Sequence, residues 1–333
     1  MDVVFPTPLV LCDIGGTNAR AALVRSNDSG LEILARLRTA DFPTFGDALD
    51  DLVGRAKIQP RSLILCGAGP VFGRRLTLTN APWTLDGPEL VSRFRLDQGL
   101  LLNDFEAQAL ALPVIDANQA PAIGPELPTD HGPKLILGPG TGLGVAALIQ
   151  LDGKYVALPT EAGHTGFAPE RADETAIWPF LERAHGRHTA ESVISGPGLA
   201  RVHRARMLAH GFRSEAQTPA EITAAAVLLA AGQEAETVRM FWRLIGRFAG
   251  DMAITFSATG GVTLAGGILP RIRALLDEKK FRREFCAKDP VAELTRRIPT
   301  RLLVAPDAVL AGMAAIGCNP RDYAIDYAAR AWA

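Results

Sequence analysis

A chain of 333 residues with 48% hydrophobic and 21% charged side chains has the composition of a soluble globular protein of about two domains. Lysine and arginine number 35 against 36 aspartate and glutamate, so no global field draws nucleic acid or an anionic membrane, and a small diffusing partner is expected. Four scattered cysteines, Cys12, Cys66, Cys286 and Cys318, form neither a CxxC pair nor a Cys/His cluster, which argues against zinc and disulfides and fits reduced cytoplasmic thiols.

Residues 1–8 lack the basic region, apolar core and cleavage site of a signal peptide and read as a short exposed arm. Residues 9–12 and 21–24 read as two strands joined by a glycine turn, Asp13-Ile14-Gly15-Gly16-Thr17-Asn18. Consecutive N–H groups in such a turn make an anion nest, Thr17 adds a hydroxyl, and Asp13 suits a metal ion directly or through water. These are the parts a nucleotide phosphate tail needs; an ordinary tight hairpin is the alternative.

Helical periodicity covers residues 47–56 and 88–94, with a buried strand at 62–66 and a half-exposed strand at 76–80 between them. Asn80, at the end of the latter, is either a ligand contact or a turn residue. Leu100-Leu101-Leu102 reads as a buried strand that gives way at Asn103-Asp104 to a helix through Ala107, Leu110 and Ala111. Either these two residues cap that helix, or Asp104 is a carboxylate in the crevice beyond the strand ends, where open α/β folds bind ligands. Alternating strands and helices imply an α/β domain with parallel pairing.

Five prolines between residues 113 and 133 mark a crossing between domains or a long surface loop. The opening pattern then recurs: a strand at 134–137, the turn Gly138-Pro139-Gly140-Thr141-Gly142-Leu143-Gly144, and a second strand at 145–151. This reads as an internal duplication of architecture. Two such turns facing each other would suit one phosphate tail.

The polar loop 158–167 carries Glu161 and His164 without a third metal ligand, and these suit the hydroxyls of a polyhydroxylated ligand. A helix is expected over 174–184, and Glu191 by itself reads as a solvated helix charge. Pro197 sits at the first position of a further helix. Thr218-Pro219-Ala220-Glu221 opens a helix to about 231, and a second helix runs to about 255 with a core face of Val238, Phe241, Trp242, Ile245 and Phe248. A strand at 262–265 enters Gly266-Gly267, where a flat group or a phosphate can approach the backbone, and a helix is expected from near Arg271. A strand at 301–304, a helix at 308–316 and a tail to Ala333 complete the chain. The uncharged runs 135–151 and 252–269 approach membrane-span length, but clustered glycines break both.

Together, residues 13–18, 101–105, 137–144, 161–164, 195–199 and 265–268 resemble, in order, the motifs of the bacterial glucokinase family of the hexokinase and actin-like ATPase superfamily. The resemblance implies an α/β fold of two lobes, actin-like and ribonuclease H-like, with mixed sheets flanked by helices and a cleft between the lobes. Residues 1–113 and 306–333 would form the small lobe and 114–305 the large one. The implied reaction moves the γ-phosphate of ATP to the 6-hydroxyl of glucose. On matching positions Asp104 is implied as general base, and Asn103, Asp104, Glu161, His164 and Glu191 as glucose ligands, with Asn80 a further candidate contact. Gly15, Gly16, Thr17, Asn18, Gly140, Thr141 and Gly142 would hold the ATP phosphates, and Gly266 and Gly267 would adjoin the adenosine. Asp13 would assist Mg²⁺ at the ATP site, directly or through water.

Partners implied are glucose and ATP in a cytoplasmic homodimer, with no nucleic acid and no membrane. A kinase of another hexose or amino sugar is one alternative. A non-catalytic sugar-sensing regulator is another, although no basic helix-turn-helix segment is visible. Cys12 and Ala162 stand where this family often has glycine, which raises a steric question at the phosphate turn and at the sugar loop.

Overall fold

Alternation along the first strand decides how the first sheet is buried: Val10, Cys12 and Ile14 join one apolar core, and the intervening Leu9, Leu11 and Asp13 take the opposite face. The computed structural model describes residues 3–26, 29–79, 81–212 and 216–333. In chain order the strands are β1 (Leu9–Ile14), β2 (Asn18–Val24), β3 (Glu32–Arg38), β4 (Ser62–Gly67), β5 (Val71–Phe72), β6 (Arg75–Thr77), β7 (Thr84–Asp86), β8 (Gln98–Asn103), β9 (Lys134–Pro139), β10 (Leu143–Leu151), β11 (Lys154–Thr160), β12 (Gly261–Leu264), β13 (Thr300–Leu302) and β14 (Ala331–Trp332). The α-helices are α1 (Phe45–Ala56), α2 (Gly87–Phe94), α3 (Asp104–Ala111), α4 (Ala172–Ile177), α5 (Ala190–Val193), α6 (Gly196–Ala209), α7 (Pro219–Leu228), α8 (Gln233–Thr255), α9 (Glu278–Cys286), α10 (Ala292–Arg297), α11 (Ala308–Cys318) and α12 (Tyr327–Arg330).

Internal contacts divide the chain into one unit of Met1–Asp116, Leu148–Pro159 and Ala305–Ala333, and a second of Ala117–Ala147 and Thr160–Val304. The first unit holds a six-stranded sheet in the order β14-β8-β4-β1-β2-β3 and a small sheet β5-β6-β7. β1, β2 and β3 are antiparallel neighbours, whereas β4 and β8 extend the sheet in parallel. A five-stranded sheet has the order β11-β10-β9-β12-β13, again with two parallel strands, β12 and β13, beside the first strand of a hairpin. The strand–turn–strand pattern seen twice in the sequence thus opens two sheets of the same order. The core of the second unit forms around α8, whose Phe241, Trp242, Ile245 and Phe248 are all buried. No helix among the described residues is long and apolar enough to cross a membrane.

Several expectations change. The helix expected over 174–184 stops as α4 at Ile177 and tightens into a 3₁₀ turn, Trp178–Phe180, because Pro179 lacks the N–H that the next helical bond needs. The helix expected from near Arg271 is a 3₁₀ segment, Leu269–Leu275. α7 ends at Leu228, three residues early. β3 and β11 were not expected; their faces are mostly half-buried or exposed, so neither carries the apolar alternation that marks a strand. The tail after residue 316 carries α12 and β14, which pairs antiparallel with β8.

Candidate active site

The first unit gathers its candidate residues where three strands end in register. Ile14 of β1 lies beside Gly67 of β4, which lies beside Asn103 of β8. The turn after β1 closes through the Gly15 N–H, which donates to the Asn18 carbonyl at 2.9 Å. Thr39 steadies it from beyond β3, its hydroxyl donating to the Gly16 carbonyl at 2.9 Å and its N–H to the Thr17 carbonyl at 3.0 Å. Asn80 lies outside the described residues.

Asn103 is the N-cap of α3 in a reciprocal box. Its Oδ1 accepts from the N–H groups of Phe105 and Glu106 at 3.0 and 3.2 Å, and Glu106 accepts from the Asn103 N–H at 3.2 Å. Its Nδ2 donates to the Gly69 carbonyl at 3.1 Å. Asn103 is thus the residue that caps α3, and Asp104 stands beside it as a carboxylate at the strand end. Burial pushes the Asp104 carboxyl up; the Phe105 N–H opposes it, the Asp13 charge adds to it, and the group settles at about 6.

Asp13 has two partners that sequence reading missed. Arg20, directly opposite in the β1–β2 register, ion-pairs with its Oδ2, and the Cys66 thiol donates to its Oδ1 at 3.4 Å. Burial, then the charges of Asp13 and Asp104, hold that thiol well above its ordinary range, so it stays protonated. The hairpin register is a signal from which Arg20 was findable, since residues 13 and 20 fall opposite one another once the turn is placed. Cys12 points into the apolar core on the other face of the sheet, which removes the steric question at the turn. Both oxygens of Asp13 are already engaged, which favours contact with Mg²⁺ through the ion's waters over direct coordination. Among the described residues no cluster of three or more metal-ligating side chains exists.

The second unit assembles Gly140–Gly142, Glu161, His164 and Glu191. The turn closes through the Gly140 N–H to the Gly142 carbonyl at 2.8 Å, and the Gly140 carbonyl accepts from the Gly196 N–H at 2.8 Å. Glu191 is not the solvated charge its isolated sequence context implied. Its side chain is only 32% exposed, and its Oε2 accepts from the Leu143 N–H at 2.9 Å. His164 lies between two carboxylates, 3.5 Å from Glu161 and 3.9 Å from Glu191, with Glu161 90% exposed. Thr141, His164 and Glu191 also line a cavity of about 220 Å³ together with Arg187 and Arg201. Ala162 is packed against the apolar core, and the residue that demands glycine is Gly163, where a Cβ would lie 2.2 Å from the Leu143 carbonyl oxygen.

Gly266 follows β12 at φ +95°, and a Cβ there would lie 2.3 Å from the Pro139 carbonyl oxygen of β9. Gly138 meets Ala265 just as closely, at 2.0 Å. The paired glycines thus let the ends of β9 and β12 touch. Gly266→Ala is expected to destabilise the protein by about 1–3 kcal/mol through overpacking. Gly267→Ala, which faces open space, should change stability by less than about 0.5 kcal/mol. Thermal melting of both variants checks this; equal losses would remove the packing explanation.

Comparison with known proteins bears on these sites. The protein-family model described as Glucokinase matches residues 10–319. The glucokinase of Rhizobium meliloti (strain 1021) is 39% identical over 329 residues, covering 98% of this chain and 97% of its own. A crystal structure of glucokinase from an Antarctic psychrotroph is similar with a TM-score of 0.81 at 30% identity, covering 93% of this chain and 98% of that one. The glucokinase of Balamuthia mandrillaris in complex with glucose has a TM-score of 0.75 at 23% identity and covers 93% of both chains, a likeness of fold.

Proposed function

The chain belongs to the glucokinase family, and from that premise we propose that it transfers the γ-phosphate of ATP to the 6-hydroxyl of glucose. The observation that carries the reading is Asp104, a carboxylate at the end of β8 whose proton affinity is raised to about 6. A base of that strength is ionised at neutral pH yet still accepts a proton as the alcohol reacts. Oxygen O6 attacks the γ-phosphorus while Asp104 takes its proton; the bond from that phosphorus to the β–γ bridging oxygen breaks, and ADP leaves with the electron pair.

Phosphoryl transfer needs positioning and charge stabilisation more than covalent help. The turns Gly15, Gly16, Thr17, Asn18 and Gly140, Thr141, Gly142 hold phosphate oxygens with the donors left once the Gly15 and Gly140 N–H groups have closed the turns, and Gly266 and Gly267 leave room beside the nucleoside. Asn103, Glu161, His164 and Glu191 orient the sugar hydroxyls. Asp13 would hold Mg²⁺ at the ATP site, directly or through water, and the ion would supply neutralisation of phosphate charge. The sheet order β3-β2-β1-β4-β8, an antiparallel meander extended by two parallel strands, supports a ribonuclease H-like core for the first unit.

An ATP-coupled assay over a panel of hexoses and across pH 5 to 8 tests the reading. Glucose turnover is expected, with kcat/KM falling as the pH drops through about 6, because protonated Asp104 cannot accept the sugar proton. Preferred turnover of another hexose would move the substrate; no turnover with any sugar would leave a sugar-binding protein without kinase activity.

A further inference from the structure

The N-terminal cap of α3 is tied to the far end of the chain. Glu106 is 8% exposed, and both of its carboxylate oxygens accept from Arg330, 224 residues away, at 2.7 Å each. The same guanidinium donates to the Leu101 carbonyl at 2.8 Å. One side chain therefore grips β8 two residues before the Asn103–Asp104 junction and α3 two residues after Asp104.

Arg330 is itself fixed on both sides. Asp326 caps α12, its Oδ1 accepting from the Ala329 N–H at 3.1 Å. After it, Trp332 is 2% exposed and fills the space above Gly99, where a Cβ would lie 2.0 Å from the indole nitrogen. Gln98 donates to the Trp332 carbonyl at 2.9 Å. A buried ion pair is a poor stabiliser compared with apolar packing, because desolvation offsets the attraction. Arg330 Nε is moreover buried with no hydrogen-bond partner. The arrangement makes better sense as control of geometry than as a source of stability.

We propose that Arg330, acting through Glu106, is a positioning residue that holds the Asp104 carboxylate and the Asn103 amide in their productive orientation. The inference rests on the kinase reading above. The C-terminal α12–β14 segment then works as a clamp on the catalytic junction without touching substrate.

Initial rates of the full chain, Arg330→Met, Glu106→Gln, the double variant and Arg330→Lys test it, at a temperature where circular dichroism shows each folded. Because a misplacement of about 1 Å can cost on the order of 100-fold in rate, Arg330→Met should lose about tenfold or more in kcat. Its KM for ATP should stay within about twofold, since the phosphate turns are untouched. Arg330→Lys should restore little, because an ammonium group cannot bridge two carboxylate oxygens and a carbonyl as the planar guanidinium does. The double variant should lose no more than the worse single one, the mark of two residues acting as a unit.

A folded Arg330→Met with kcat within about twofold of the parent, or losses that multiply in the double variant, would overturn the proposal. If Arg330→Met does not fold, the same split between kcat and KM in Arg330→Lys decides. An inactive parent removes the kinase reading and this inference with it, whereas an active parent with unaffected variants removes this inference alone.

Discussion

Asp104→Asn is expected to keep glucose binding and to lose about 10² to 10⁴ in turnover, the usual contribution of a positioned base. The amide keeps the size and hydrogen-bonding reach of the carboxylate but cannot accept the proton of the 6-hydroxyl. Calorimetric titration with glucose and initial rates in the coupled assay separate the two effects; near-normal turnover would remove Asp104 from its role. Stability should move the other way. The folded carboxyl keeps its proton up to about pH 6, whereas an unfolded aspartate releases it near 3.9. Between those values the folded chain binds more protons, so this group's contribution to stability is lost as the pH rises through that window. Asparagine carries no such loss, and the variant's Tm relative to the parent should therefore rise from pH 4 to pH 7. A carboxylate kept at a strand end despite that cost is what function, rather than folding, requires.

Arg247→Met should cost about 3–5 kcal/mol of stability, because it leaves a buried carboxylate without its counter-charge. Arg247 Nη1 donates to Glu174 at 2.9 Å, and the two side chains are only 4% and 3% exposed. Nη2 donates to the Ala168 carbonyl at 2.8 Å, and the guanidinium lies 4.3 Å over the Phe167 ring, which meets Phe248 edge-on. These contacts fasten the segment that follows Glu161 and His164. The same segment is pinned from the other side by the Phe167 N–H to the His188 carbonyl at 3.1 Å and the Ala190 N–H to the Thr165 carbonyl at 3.0 Å. Scanning calorimetry should show Tm lower by roughly 6–20 °C, taking about 2–4 °C per kcal/mol for a unit of this size. The glucose KM should rise in the same variant. Adding Glu174→Leu should recover much of the lost stability, since no charge is then left unpaired. A loss below about 1 kcal/mol in Arg247→Met would show that water reaches Glu174 and that the pair is not buried in solution.

Features whose causes are local were legible in the sequence. Gly15-Gly16 and Gly140-Thr141-Gly142 were legible as turns because each glycine cluster breaks the run between two apolar strand segments. The Thr218-Pro219-Ala220-Glu221 start of α7 is written in four consecutive residues, and the structure forms its capping box in full. The α8 face was readable because helical spacing repeats over 23 residues. The junction at Asn103 and Asp104 was readable as a place, where an apolar run meets a helix. Which of the two residues caps and which is left as a carboxylate was decided by hydrogen bonds that only coordinates contain.

The sequence by itself determined the α/β alternation, both glycine turns, the main helical hairpin and the carboxylate at the end of β8, because strand period, helix period and turn chemistry act over neighbouring residues. The tertiary structure decided the partners. Glu191 meets Leu143 across 48 residues, Arg247 meets Glu174 across 73, and Arg330 meets Glu106 across 224. No periodicity records such pairs, since an arginine reads the same whether it faces water or a buried acid. What raises the proton affinity of Asp104, its burial and the nearby Asp13 charge, arises from that packing, which the order of residues specifies but does not display.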